Sequence, residues 1–380
     1  MTGTTKLHIG IAGAGSAGLA TAIAFARMGH KVTVLEKHRS LAPLGAGLLI
    51  QPQGIRALQQ LGLKDQFENV SLPIRRLLGE SHRGWRIVDI AYDRELARSV
   101  SRDRLAQTLF YEALASGVAV AFDDPVEHIA RAGDLARVET LRGAHQFDLF
   151  VLADGAASTL RTKADLAAPA TPYPWGALWG QFWVREWEEV ETLKQRYRGP
   201  REMMGLMPTQ VSDRGVRLSL FWSLRCDQHQ AWRAAPVDAW KEKARALWAG
   251  SEPVLDQIRS HDDLSFAVYR HSWPRRLANG PFVTVGDAAH ALTPQLGLGT
   301  TLAVQDAIAL AETVDEFGPV AGALAYERAR RTPVRAYQTL SRALTPCFQS
   351  NGWSWPRDVA FAAGRRVPGI AWVMKRSVAY

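Results

Sequence analysis

Apolar positions run almost unbroken from Leu7 to Ala12, stop at Gly13-Ala-Gly15-Ser-Ala-Gly18, and resume at helical spacing from Leu19 to Met28. Gly29 ends that helix, and Lys31 to Leu35 reads as a second strand. Further along, Leu48-Leu49-Ile50 follows the glycine loop Gly45-Ala46-Gly47, and Gln53 to Leu61 predicts a short helix. Residues 73–100 alternate like strands, most clearly Arg86 to Tyr92, and a helix runs from Ser101 to about Ser116. Phe147 to Ala153 predicts another buried strand.

From about Pro169 to Pro274 the pattern changes. Tryptophans become dense, and the runs Trp175–Val184, Met203–Met207 and Val216–Ser223 predict an antiparallel sheet with a helix over Val237–Ala249. Trp179, Gln181 and Trp183 alternate, so they share one face directed at a pocket or at a core. Val283 to Val285 then predicts a short buried strand, followed by Gly286-Asp287 and the loop through Pro294, Gly297 and Gly299. Leu302, Ala303, Asp306, Ala307, Leu310 and Ala311 fall at helical spacing within Thr300–Glu312, and Tyr326 to Leu344 predicts a basic helix. The tail beyond it carries Phe348, Trp353, Trp355, Phe361, Ile370, Trp372 and Val373.

The glycine turn after the first strand is G-x-G-x-x-G in a strand–turn–helix–strand setting, which makes it a dinucleotide fingerprint. Gly13 permits the tight turn, Gly15 lets a pyrophosphate approach the backbone, and Gly18 lets helix and strand pack closely. Ser16 and Ala17 open the helix, whose N-terminus favours anions. Glu36, with Lys37 beside it, ends the second strand, where an acid binds ribose hydroxyls. Two more strands end in an acid next to a glycine: Asp154-Gly155 and Gly286-Asp287. An acid at a strand end accepts well from a sugar hydroxyl, and Asp287 is placed in a buried part of the site. Pro294 fixes its backbone and lacks a donor, while Gly297 and Gly299 allow backbone to approach a flat ligand. Leu298 and Thr300 flank Gly299 at the start of a helix whose dipole end points back at that ligand. These parts describe a site for an anionic, planar cofactor gripped from several sides.

The chain has 380 residues, enough for one large or two ordinary domains, with 47% hydrophobic and 22% charged residues. Its net charge of +9 is spread among acids rather than gathered in blocks. That excludes a nucleic-acid reading and favours a general attraction for anionic cofactors and substrates. Cys226 and Cys347 lack metal-ligand spacing, so no metal and no redox role is expected, and a reducing, cytoplasmic setting is. The apolar start could imitate a signal peptide, but its regular glycines and the strand that follows argue against secretion. No uncharged apolar stretch approaches the ~20 residues that span a bilayer.

With these motifs in this order, residues 6–345 resemble the FAD-dependent aromatic hydroxylases typified by p-hydroxybenzoate hydroxylase, the single-component flavoprotein monooxygenases. The resemblance implies an α/β fold: a Rossmann-type FAD-binding domain (residues 1–72, 99–168 and 276–345), an inserted antiparallel-sheet substrate domain (73–98 and 169–275) and a C-terminal helical tail (346–380). It implies that Asp287 binds the ribityl or ribose part of FAD, and that Asp154-Gly155 serves FAD and the co-substrate, NADH or NADPH. Arg102 in its Arg-x-x-Leu context resembles the arginine that contacts the FAD phosphates or ribityl chain, and Gly47 belongs to the loop beside the flavin. Two positions depart from the family pattern, with Thr301 and Gln53 where relatives commonly carry Asn.

The activity so implied is hydroxylation of an aromatic or similarly electron-rich small molecule with NAD(P)H and O₂, through a flavin C4a-hydroperoxide. The flavin carries that chemistry. Pro294, Gly297 and Gly299 supply its anion site, and the tryptophan-rich domain excludes water. His290 reads as a structural residue beside the flavin loop. An epoxidase, a reductase or a halogenase on the same scaffold, and a non-catalytic FAD-binding protein, stay open as alternatives. Monomer and homodimer are both compatible with the sequence, and the tail either covers the pocket or touches a membrane interface.

Overall fold

The computed structural model describes residues 6–41, 47–167, 169–291, 293 and 297–351. Gly45, Ala46, Pro294 and the tail from residue 352 onward therefore lie outside the described residues. The architecture is α/β, with a mostly parallel sheet, a large and mostly antiparallel second sheet, and two long helices at the end.

Strand β1 (His8–Ala12) lies at the centre of a six-stranded sheet. Ile9 and Ile11 are fully buried in it, as a strand covered on both faces requires. It pairs in parallel with β2 (Lys31–Leu35) on one side and with the strand Leu149–Leu152 on the other. That last strand pairs in parallel with Phe282–Thr284. The register sets Leu35, Ala12, Leu152 and Thr284 side by side, so the three acid-bearing turns and the glycine turn leave the same sheet edge. Ligands of open parallel sheets bind at this carboxyl edge. Helix α1 (Ser16–Arg27) crosses between the first two strands and buries Leu19, Ile23 and Phe25 against the helices Gly299–Phe317 and Arg102–Ala115.

The second sheet has seven strands, with Ser265–His271, Thr171–Val184, Gly215–Arg225 and Glu202–Ser212 antiparallel in that order. Its strands at 171–225 are longer than the pattern predicted. Leu178, Met204, Leu218, Leu220 and Trp222 pack on one face against Trp232, Trp240 and Leu247, so much of the tryptophan density is core. The opposite face carries Trp179, Phe221, Met203 and Met207. A small antiparallel sheet of β3 (Gly47–Ile50), Ala97–Ser101 and Leu72–Ile74 joins the two large ones. The join is held by hydrogen bonds from Gly47 N to Ser219 Oγ (2.8 Å) and from Ser99 Oγ to the Pro208 carbonyl (2.5 Å).

Two features differ from the pattern reading. Residues 126–147 form a three-stranded antiparallel sheet that the apolar pattern does not signal. The last helix runs from Pro319 to Phe348, through Pro333 and Pro346, well beyond the expected Tyr326–Leu344. Among the described residues no helix is long and apolar enough to cross a membrane.

Candidate cofactor site

The glycine turn is tightly determined. Gly13 takes φ +104° and donates its N–H to the Leu35 carbonyl at 2.8 Å. A Cβ on Gly18 would stand 1.9 Å from the Gly13 carbonyl oxygen, so helix and turn meet there without room for a side chain. A Cβ on Gly15 would meet nothing within 4 Å. Gly18 is thus a packing glycine, whereas Gly15 opens a cradle above the first N–H groups of α1, those of Ser16 and Ala17.

Glu36 is buried, and both of its oxygens hold backbone. Oε2 accepts from Ala14 N at 2.7 Å and Oε1 from His38 N at 2.9 Å. It therefore braces the glycine turn as well as standing at the ribose position. Lys37 beside it is exposed.

The third motif converges on the first. Gly286 takes φ +59°, and a Cβ there would lie 2.5 Å from the Ala17 Cβ and 3.4 Å from that of Ala303. Three elements therefore touch at one point: the start of α1, the short helix Gly286–His290 and the helix Gly299–Phe317. Asp287 is exposed amid buried neighbours, and its Oδ1 lies 3.8 Å from the place of a Cβ on Gly299. Gly297, at φ +62°, faces β3, with Gln51 Nε2 and the Leu49 carbonyl nearest its Cβ position. Leu298 is buried as the N-cap, and Thr300 is half-buried in the first turn.

Behind this surface stands a charged cluster that the sequence reading missed. Asp306 is fully buried. Its Oδ2 accepts from Gly286 N (3.1 Å) and lies 2.5 Å from His290 Nε2, while Oδ1 accepts from Arg330 Nε at 2.8 Å. Burial alone would raise the Asp306 pKa, but His290 and Arg330 together hold it below the usual carboxylate range. A carboxylate inside the apolar stripe of a helix was the signal that could have found it.

The second motif is tied in by Arg161, also fully buried. Its Nη1 donates to Ser272 Oγ (2.9 Å) and the Ala288 carbonyl (3.0 Å), and Nη2 to the Ala156 carbonyl (3.2 Å). One side chain thus joins the Asp154-Gly155 turn to the turn that carries Asp287. Asp154 Oδ1 is buried without a hydrogen-bond partner, and burial pushes this carboxyl upward against the pull of Ser158 and Arg161. Gly155 takes φ +84° with open space where a Cβ would lie.

Arg102 begins the helix Arg102–Ala115, and its neighbour Ser101 pairs with Gly47. Its charge faces Tyr269, whose phenol burial pushes strongly upward. Gln51 Oε1 accepts from the Tyr92 hydroxyl at 3.0 Å, and burial pushes that phenol up to about 12. These residues fit FAD: an open glycine cradle at a helix start, an unpartnered buried carboxylate oxygen, and acids at three strand ends of one sheet edge. Gly13, Gly15, Gly18, Glu36, Asp154, Gly155, Gly286, Asp287, Gly297 and Gly299 are gathered along that edge, while Gly47 and Arg102 stand at the small joining sheet.

Comparison with known proteins gives the same direction. The family described as FAD binding domain matches residues 6–339. A FAD-dependent urate hydroxylase of Klebsiella oxytoca is 24% identical over 380 residues, covering 94% of this chain and 95% of the relative. A probable 2-heptyl-3-hydroxy-4(1H)-quinolone synthase of Rhodococcus erythropolis is 28% identical over 358 residues, covering 89% and 87%. Among solved structures, Klebsiella pneumoniae HpxO complexed with FAD superposes with TM-score 0.80 at 20% identity, covering 98% of this chain and 99% of that one. The tetrameric 2-methyl-3-hydroxypyridine-5-carboxylic acid oxygenase gives 0.77 at 21%, covering 94% and 96%. At such identities these structural likenesses show the fold.

Proposed function

This chain belongs to the FAD-binding family of flavoprotein monooxygenases, and from that premise we propose that it hydroxylates a small aromatic or heterocyclic molecule with NADH or NADPH and O₂. The observation that carries the reading is the convergence of the glycine turn, the acid-bearing ends of three strands and two helix starts on one sheet edge. The compounds named for the relatives, urate for a hydroxylase and a hydroxyquinolone for a synthase that makes it, and for the structural neighbour, a hydroxypyridine carboxylic acid, are all heterocycles.

FAD, when bound, supplies the electron transfer from NAD(P)H and the activation of O₂. The protein's part is to bind, orient and enclose. Gly15, Ser16, Ala17 and the start of α1 would hold the pyrophosphate through backbone N–H groups, as helix starts do for anions. Glu36 would accept from the adenosine ribose, and Asp287 from the ribityl chain. Asp154 and Gly155 would meet the middle of the cofactor, with Arg102 approaching from across the cleft. Gly297, Leu298, Gly299 and Thr300 present backbone N–H groups where negative charge on the ring would fall, the arrangement that stabilises such charge most effectively.

The division into residues 1–72, 99–168 and 276–345 for the cofactor and 73–98 with 169–275 for the substrate is our reading of this arrangement. Its support is that the odd-numbered face of the second sheet (Trp179, Phe221) looks toward β3, and an aromatic wall there excludes water. A cytoplasmic setting rests on the sparse cysteines. The test is purification and acid precipitation, which should leave FAD in the supernatant, followed by NADH and NADPH oxidation assays with a panel of phenols and heterocycles. Stimulated oxidation supports the enzyme; an FAD-loaded protein indifferent to both nucleotides supports the non-catalytic alternative.

A further inference from the structure

The sheet face that looks at β3 carries one polar row between two flanking rows. Gln181 lies directly opposite Ser219, and Ser219 opposite Met207. Directly paired residues share a face, and Ser219 Oγ accepts from Gly47 N, so Gln181 is on the β3 side. On one flank, Trp179 pairs with Phe221, their ring centroids 5.4 Å apart. On the other flank, Trp183 pairs with Arg217, which reaches Asp103 at 3.5 Å, next to Arg102.

Within that frame the Gln181 amide is anomalous. Both Oε1 and Nε2 are buried, and neither has a hydrogen-bond partner among the described residues. A buried amide with no partner costs free energy at each end. Its neighbours lie out of hydrogen-bonding reach: Ser219 Oγ meets Gly47 N, and Arg217 turns to Asp103. An amide presents a donor and an acceptor side by side. Its complement is a planar edge with a donor beside an acceptor, which in a ring is the N–H and C=O of a lactam.

We infer that Gln181 binds the lactam edge of a heteroaromatic substrate through a pair of hydrogen bonds, with Trp179 and Phe221 against its ring. This deepens the function proposed above and rests on it: it assigns the substrate class, a planar ring bearing adjacent N–H and C=O groups. A plain phenol satisfies one end of the amide and leaves the other unpaired, so Gln181 discriminates between the two classes.

The test is calorimetric titration of the FAD-loaded protein with 2-pyridone, 2-quinolone and uracil, each against its N-methyl derivative, in wild type, Gln181→Leu and Gln181→Glu. The wild type should bind at least one lactam about tenfold more tightly than the N-methylated partner, the effect of two modest hydrogen bonds. Gln181→Leu should erase that preference with FAD content unchanged and a melting temperature equal to or above that of the wild type, since the unpaired amide is gone. Gln181→Glu, which keeps acceptors and loses the donor, should also lose it. A wild type without preference in all three pairs, or a Leu variant that retains the preference, overturns the assignment. The titration reads heat, so it stands whether or not NAD(P)H is turned over; failure of the monooxygenase reading would show separately, in FAD content and nucleotide oxidation.

Discussion

His290 Nε2 lies 2.5 Å from Asp306 Oδ2, and both side chains are completely buried beneath the Gly286-Asp287 turn. The same carboxylate oxygen receives the Gly286 N–H, and Arg330 holds the other oxygen. The turn that presents Asp287 is therefore positioned by a charge cluster rather than by apolar packing alone. Asp306→Asn should cost about 3–5 kcal/mol, because it leaves the Arg330 charge without its partner. The folded-state pKa of Asp306 is depressed, so its contribution is present above the unfolded value near about 3.9 and lost as pH falls below it. Denaturant titrations of wild type and variant between about pH 3 and 7 should show a stability gap that is full at neutral pH and narrows as the pH falls below the unfolded value.

Asp154 has the opposite sign. Its pKa is raised by burial, so the folded state resists its ionisation, and the penalty is absent below the unfolded value and complete above the folded one. Asp154→Asn should stabilise the FAD-free protein at neutral pH by on the order of 1 kcal/mol, with no gain below about pH 4. The same variant should bind FAD more weakly. A variant destabilised at neutral pH would contradict this.

Glu36 and Asp287 should act differently. Glu36 is buried with two backbone N–H groups on its carboxylate, whereas Asp287 faces the site with no such duty. Glu36→Ala should therefore destabilise the FAD-free protein by about 1–3 kcal/mol through the lost charge-assisted bonds, and lower FAD affinity as well. Asp287→Ala should lower FAD affinity while the FAD-free stability stays unchanged. Denaturant titration of apoprotein, and its reconstitution followed by flavin fluorescence, separate the two.

Gly15→Ala and Gly18→Ala should separate binding from folding. The added methyl on Gly18 would strike the Gly13 carbonyl, whereas on Gly15 it meets open space. Gly15→Ala should fold with a near-normal melting temperature and take up FAD at least about tenfold less well, through the lost cradle. Gly18→Ala should lose stability and FAD together.

Much of this was legible in the chain because it is local. A glycine turn between two strands, and acids at strand ends, are fixed by near neighbours, so all three motifs are legible locally. The Asp306–His290–Arg330 cluster was not legible: its members lie on separate elements, and only a carboxylate in an apolar stripe hinted at it. The role of Arg161 was not legible either, because it depends on Ser272 and Ala288, more than a hundred residues away. The sheet at 126–147 left no apolar alternation because Val126–Ala132 exposes nearly every side chain. Gln181 could be assigned to a face from its alternation with Trp179 and Trp183, but whether that face met core or pocket required the register with Ser219.

The central claim, an FAD-dependent monooxygenase, is tested most directly by turnover under ¹⁸O₂ of the FAD-loaded protein with NAD(P)H and a panel of phenols and lactam heterocycles, the products read by mass spectrometry. The account predicts at least one compound that both accelerates NAD(P)H oxidation and gains a single ¹⁸O atom. Nucleotide oxidation that no panel member accelerates, or product oxygen that comes from water, would contradict it.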